Sequence, residues 1–456
     1  TTIEDVIAAE EAEDGVNSNL TGEYPDYVVE ENGNIIGYVP QGIIGHANAF
    51  SANRYFNSIL CEVVDGTLTL GIRQPGTGNQ PECLGFGNIK LIYHGSVEDA
   101  SEGLNRVLAS QCARANTLVN TYKYSSASDY ASYPNFSAEL KEQLTQAMNE
   151  MESITDAKEK YALVLKFSEL FQQVYECKKA YVNLMAQSED LAEMLFVMEE
   201  LLNDEQKAEI NTMMDKLIVM YEEATTSVED AKKNYIRDLS FALQIENNVC
   251  EINSALDLAM FAFEVNNGNN SIDAVLKTDI ENYTGPVIAT STLYYAGTFD
   301  GQYHTINYTS TPTEPRWGLF RTLSGTIKNL HVSGTLNTNV NQCGGLVGFI
   351  YSAVVQNCIS SVDIITTYSG DAGTGGLVAT NMENSLIKDC VFSGTIQGAE
   401  AYSCAGLVGW TVAAGSTTLT NCLVVGDIST KEKDGNVIAR NPSKVTRNNC
   451  YYLKPY

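Results

Sequence analysis

The chain has 456 residues, a net charge of −28 and 44% hydrophobic residues. That length exceeds what one ordinary core fills, so several domains are expected, and the apolar content excludes wholesale disorder. No apolar run reaches the roughly 18 residues that a membrane-crossing helix needs, and the acidity disfavours nucleic acid or an anionic membrane as partner.

Charge is unevenly spread. Residues 1–95 carry 3 basic and 13 acidic side chains, residues 96–265 carry 14 and 30, and residues 266–456 carry 11 and 13. These shifts predict three domains with those boundaries. No charged-then-apolar signal segment opens the chain at Thr1-Thr2, so any export signal or lipid anchor is expected to lie outside it.

The first piece, 1–95, is predicted to be β-rich. In "FNSILCEVVDGTLTLGI" two apolar runs flank Asp65-Gly66, a pair suited to the positive φ angles of a two-residue hairpin turn. "LGFGNIKLIYHG" follows as a strand offering Phe86, Ile89, Leu91 and Tyr93 to a core. Phe50, Tyr55, Phe56, Asp65, Gly66, Leu68, Gly71, Ile72, Phe86, Asn88, Leu91, Tyr93 and Gly95 together resemble the end of a galactose-binding-like jelly-roll domain. Gly87 departs from that pattern, which usually has Asp before the Asn. The resemblance covers only the last part of such a domain, so it implies a partial antiparallel β-sandwich: either the chain begins inside the domain, or another segment or chain completes it. It also implies a surface or secreted protein of a Gram-negative gut anaerobe.

The second piece, 96–265, changes period. Leu163, Phe167, Leu170, Val174, Cys177, Tyr181 and Leu184 alternate steps of four and three, the seam of a long amphipathic helix. "SAELKEQLTQAMNEMESI", "SEDLAEMLFVMEELL", "DEQKAEINTMMDKLIVMYEEA" and "SVEDAKKNYIRDLSFAL" each place Ser or Asp where a helix start wants an N-cap. An all-α, acidic helical bundle serving as spacer is expected. Its Met and Leu stripes are assigned to core packing rather than to a partner groove.

The third piece, 266–456, opens after the polar run "NNGNNS" and repeats itself. "WGLFRTLSGTIKNLHVSGTL", "GGLVGFIYSAVVQNCISSVDI", "GGLVATNMENSLIKDCVFSGTI" and "AGLVGWTVAAGSTTLTNCLVVGDI" align with Gly318, Gly345, Gly376 and Gly406 in register. A later register holds Leu330, Cys358, Cys390 and Cys422, preceded by Asn329, Asn357, Asp389 and Asn421, and "NNCYY" adds Cys450. Short β-branched runs at this period predict the coils of a parallel β-solenoid (β-helix), with identical positions stacked in ladders. Asn columns suit its bends, because a side-chain amide bonds the next amide along. The repeats, with "YYAGTFDGQYHTI" ahead of them, resemble the GLUG-type repeat family over roughly residues 285–456.

This register also decides what the cysteines are expected to be. Leu330 replaces Cys within one column, which suits an inward apolar residue better than a metal ligand or redox thiol. A rung step of about 4.8 Å permits a disulfide, but three stacked thiols cannot all pair. Buried free thiols are therefore expected at Cys358, Cys390 and Cys422. Cys343 and Cys404 share a second register, with Thr374 between them. The glycines are expected at corners that demand positive φ, since "GGLVG" lacks the Lys and hydroxyl of a phosphate-binding loop.

No cofactor or metal is expected. His46, His94, His304 and His331 show no diagnostic interval to a Cys or Asp, and a structural role is the expectation for His304. In the solenoid the carboxylates Asp300, Glu314, Asp363, Asp371, Glu383, Asp389, Glu400 and Asp427 are dispersed, although Asp363 and Asp427 share a register beside Thr335 and Thr395. Trp317 and Trp410 flank the repeat glycines and are the candidate ligand-binding residues. Exposed, they would stack on sugar rings or anchor a protein; buried, they would be packing, which is favoured for Trp317. The leading expectation is a non-catalytic, surface or secreted bacterial protein for adhesion or glycan binding. The alternatives are a self-assembling layer or fibre protein joined by β-strand addition, and a polysaccharide lyase or hydrolase.

Overall fold

The structure, a computed structural model, describes residues Tyr27–Glu31, Asn34–Val39, 101–120, 135–412, 415–431, 438–440 and 442–453. The chain divides into two compact units, one of Thr1–Ala186 with Lys216–Lys233 and the other of Gln187–Asp215 with Asn234–Tyr456. In the first unit Tyr27–Glu31 pairs antiparallel with Asn34–Val39. The sequence between them is Asn32-Gly33, the pair most favoured in two-residue hairpins. The jelly-roll residues from Phe50 to Gly95, and the hairpin expected at Asp65-Gly66, lie outside the described residues.

Among the described residues the helices are α1 Ser101–Asn120, α2 Ala138–Met151, α3 Ala157–Val197, α4 Asp204–Glu223, α5 Val228–Ala231 and α6 Ala255–Asn266. All seven seam residues between Leu163 and Leu184 are buried. Each such side chain contributes about 1.5–3 kcal/mol by leaving water, which explains why α3 forms over 41 residues. Caps follow the expected chemistry at several starts. Ser137 accepts from Leu140 N at 3.3 Å, Asp156 from Lys158 N at 2.9 Å, and Asn203 and Gln206 exchange bonds at 2.9 and 3.0 Å.

Two helix expectations need correction. "SEDLAEM" starts no new helix, because α3 runs through Ser188 and keeps Gln187 and Ser188 buried. "SVEDAKKNYIRDLSFAL" is not one helix either. α5 spans only four residues and a 3-10 turn, Tyr235–Asp238, follows. The Asn183 amide takes the Ala231 carbonyl at 2.9 Å, and Gln187 takes Tyr235 N at 2.6 Å, so side chains substitute for the helix ladder there.

In the second unit the C-terminal part is a parallel β-solenoid. Its first face is a nine-stranded sheet, parallel from Val249–Ile252 through Asp273–Leu276, Thr298–Asp300, Thr326–Lys328, Val354–Gln356, Ser385–Lys388 and Thr417–Thr420 to Val445–Asn448. A second face runs from Ile280–Tyr283 through Thr305–Ser310, His331–Thr338, Ile359–Thr366, Val391–Phe392 and Leu423–Val424 to Tyr451–Tyr452. A four-stranded third face contains Phe320–Leu323, Val347–Ile350, Val378–Asn381 and Val408–Thr411. Ala274, Phe299, Ile327, Val355, Ile387 and Leu419 form one buried column of the first face, and Arg447 ends it.

The first end of this core is closed by α6, whose Leu258, Ala259, Met260, Phe261, Ala262, Phe263 and Val265 are all buried. Phe261 meets the rings of Tyr295 and Phe299 at 5.6 and 5.7 Å, and Phe320 meets Phe299 at 5.2 Å, so aromatic rings fill the first coils. Residues 266–271 are a tight return. Asn270 donates to the Tyr294 carbonyl at 2.7 Å and Asn269 to the Glu264 carboxylate at 3.1 Å.

The corners reverse one expectation. Positive φ falls on Asn329, Asn357, Asp389, Asn421 and Asn449, between 52° and 55°. Gly318, Gly345 and Gly376 are not positive-φ positions. They are required by close approach instead: a Cβ on Gly345 would stand 2.3 Å from the Gly376 carbonyl oxygen, and one on Gly376 2.4 Å from that of Gly406.

The amides form a directional ladder. Asn329 donates to Asp300 at 2.9 Å, Asn357 to Asn329 at 2.8 Å, Asn421 to Asp389 at 2.9 Å and Asn449 to Asn421 at 3.3 Å. The step from Asp389 to Asn357 cannot form, because an ionised carboxylate has no proton to donate. Asp389→Asn is therefore expected to stabilise the solenoid by about 1 kcal/mol, whereas Asn421→Ala should cost about 1–2 kcal/mol through a lost bond and an unfavourable αL backbone. Both tryptophans lie in the solenoid, so urea unfolding followed by Trp fluorescence measures these changes directly.

Candidate functional site

The third face sets one column of Thr322, Phe349, Thr380 and Trp410. Trp410 is half-buried, and the Arg440 guanidinium lies over its ring, 5.5 Å from the centroid. Arg440 is fixed in turn by a two-pronged ion pair to Asp371 at 2.7 and 3.1 Å, and its backbone N–H donates to Val408 at 3.1 Å. Such a bidentate contact orients the guanidinium plane. Asp371 pairs across the next rung with Tyr402, which is 38% exposed.

Two rungs before Trp410, Phe349 is covered by Arg316, whose guanidinium is 4.6 Å from the ring. Tyr294 stands edge-on to both Phe349 and Tyr351 at 6.0 Å. The exposed Tyr351 donates its hydroxyl to Glu383 at 3.1 Å, which raises its own pKa through that carboxylate. The sequence singled out Trp410 but not the partners gathered around it, because Asp371 and Arg440 lie outside the aligned repeats. Only the fold brings residues 69 apart, such as Asp371 and Arg440, into contact.

Trp317 is differently placed. Its indole N–H donates to Ser310 at 2.9 Å and Arg321, paired with Glu314, lies 5.1 Å from its ring centroid. It bridges to Cys343 in the next coil. Its polar edge and one ring face are thus taken by the protein, so Trp410 is the stronger ligand candidate.

Leu330, Cys358, Cys390 and Cys422 stand in one column, since Ile359, Val391, Leu423 and Tyr451 each donate at 2.9 Å to the carbonyl of the preceding member. All four are at most 1% exposed, and the thiols are free. Cys358 and Cys390 each donate to a carbonyl two residues back at 3.2 Å. Burial holds Cys390 well above the ordinary thiol range, and Cys422 is raised first by its contact with Cys390 and then by burial. Cys343 and Cys404 flank Thr374, and burial pushes each up to about 11. Protonated thiols of this kind are poor nucleophiles and poor ligands. Among the described residues no three His, Cys, Asp or Glu side chains are grouped to hold a metal ion.

On the second face Thr335, Asp363, Thr395 and Asp427 follow one another, with Thr395 donating its hydroxyl to Asp363 at 2.8 Å. The two carboxylates are thus separated by a threonine rung, about 9.6 Å apart along the axis. His304 meets Asp279 at 3.1 Å. His331 lies between Thr305 at 3.1 Å and Ser361 at 2.9 Å, and Ser361 continues to Ser393 at 2.7 Å. It is one rung of a hydroxyl ladder. His46 and His94 lie outside the described residues.

Comparison with protein-family models gives no match, and comparison with curated proteins also gives none. Among solved structures the chain is similar to the crystal structure of a "putative immunoglobulin A1 protease" from Bacteroides ovatus, at 14% identity and a TM-score of 0.33, over 44% of this chain and 74% of that one.

Burial lowers the His331 pKa, against a smaller upward pull from Asp279. A histidine held neutral in the fold contributes stability that is complete above the ordinary imidazole range and lost as pH falls through its depressed value. Thermal melts at about pH 7.5 and about pH 5 should therefore differ more for the native chain than for His331→Gln, which keeps polar atoms in the ladder but cannot titrate.

Proposed function

We propose that this chain is a non-catalytic binding protein of the bacterial surface or extracellular space, holding a glycan against the third face of its solenoid. The observation that carries this reading is the half-buried Trp410 ring beside an Arg440 guanidinium fixed by Asp371. Sugars offer an apolar C–H face to an aromatic ring and hydroxyls to fixed donors and acceptors, and this site has one of each kind. A neutral glycan suits the site better than a polyanion, because the chain is strongly acidic and the Arg440 charge is already paired. The surface location rests on the GLUG-type and jelly-roll resemblances.

A second reading, self-assembly through the last coil, draws on exposed Tyr451, Tyr452 and Leu453. Arg447 at the end of the apolar column weighs against it, since an inward charge blocks the stacking of a further rung.

A panel of neutral oligosaccharides, titrated by calorimetry, tests the leading reading. Trp410→Ala should weaken binding about tenfold or more while leaving the far-ultraviolet spectrum unchanged. A blank panel, or undiminished binding by the variant, overturns it.

A further inference from the structure

The thiol column does not stop at Cys422. Leu423 pairs with Tyr451 and Tyr451 N donates to the Cys422 carbonyl at 2.9 Å, which places Cys450 one rung beyond Cys422. We propose that Cys422 and Cys450 form a covalent modification site, a disulfide that staples the final coil to the one before it.

Three features single out this pair. A rung step of about 4.8 Å lies inside the 4.4–6.8 Å window of Cα separations that disulfides span. Cys358, Cys390 and Cys422 are sealed in the core, whereas Cys450 is only half-buried, so among the described thiols of this column Cys450 is the one within reach of a small reagent. Among the described residues the final coil also has a neighbouring coil on one side only. Tyr451, Tyr452 and Leu453 are 65%, 51% and 63% exposed, and Arg447 replaces the apolar residue of the preceding rungs. Few buried apolar contacts mark a segment that opens first, and that opening lets Cys422 meet its partner.

The oxidant is a small-molecule disulfide. The Cys450 thiolate attacks one of its sulfurs, the reagent's S–S bond breaks, and one thiol leaves. With the coil open and Cys422 released from the burial that raises it, its thiolate then attacks the Cys450 sulfur of the mixed disulfide and displaces the second thiol. Two protein thiols lose two electrons to the reagent, whose two sulfurs leave as thiols carrying the two protons. Burial and the neighbouring Cys422 sulfur both raise Cys450, so the reaction should quicken with rising pH.

The full chain, treated with oxidised glutathione at alkaline pH, alkylated and digested with trypsin and chymotrypsin, tests this by mass spectrometry. The expected result is a linked peptide pair containing Cys422 and Cys450, the loss of two alkylatable thiols, and a more protease-resistant C-terminal coil. Cys450→Ser should leave Cys422 reduced, and Cys358→Ser should leave the link intact. Glutathione retained on Cys450 without a link, a link that excludes either residue, or thiols that all stay reduced would overturn the proposal.

Discussion

Everything in the solenoid follows from one constraint: each residue lies about 4.8 Å from its own counterpart in the next coil. A position is therefore acceptable only if its side chain tolerates a copy, or a near copy, of itself as nearest neighbour. Aliphatic side chains do, so Ile327, Val355, Ile387 and Leu419 stack without penalty. Amides do so with a net gain, because each has both a donor and an acceptor. Carboxylates do not. Asp389 receives a bond from Asn421 but has none to pass to Asn357, and Asp363 and Asp427 are kept apart by Thr395. Thiols are the intermediate case, small and weakly donating, and each finds a carbonyl two residues back along its own coil.

The same constraint makes the ends of the array its difficult places. At the first end there is no earlier coil to cover the core, and α6 supplies the missing apolar surface. Phe261 continues the ring cluster of Tyr295, Phe299 and Phe320. At the last coil no α-helix is found among the described residues, only the 3-10 turn Pro442–Lys444, and the column closes with Arg447, which reaches the Ala439 carbonyl at 2.9 Å. One end is covered and the other is made less apolar. The two solutions differ in consequence, since the second leaves side chains such as Cys450 within reach of solvent.

What was legible in the sequence was what repeats. The column of Leu330, Cys358, Cys390 and Cys422, the Asn corners and the seam from Leu163 to Leu184 are periodic, and a period is readable without coordinates. The assignment of positive φ to glycine failed for a physical reason. Asparagine also tolerates the left-handed region, and its amide adds a ladder bond that glycine lacks, so the corners took Asn and left glycine to the sites of closest backbone approach. The α6 cap, the bond that ends α5 at Asn183, and the pairing of Asp371 with Arg440 occur once each. Nothing in their spacing announces them.

That asymmetry bears on where the proposed recognition would reside. A ladder offers the same group at every step, so it cannot by itself mark one coil as different from another. The third face becomes particular only where non-repeating residues are added to it, and Trp410 with Arg440 and Asp371 is such a place. Its elements are also rigid: the ring sits on a paired strand, and the guanidinium is tied to a carboxylate from another coil. Such pre-ordered side chains would spend little conformational entropy on meeting the proposed glycan.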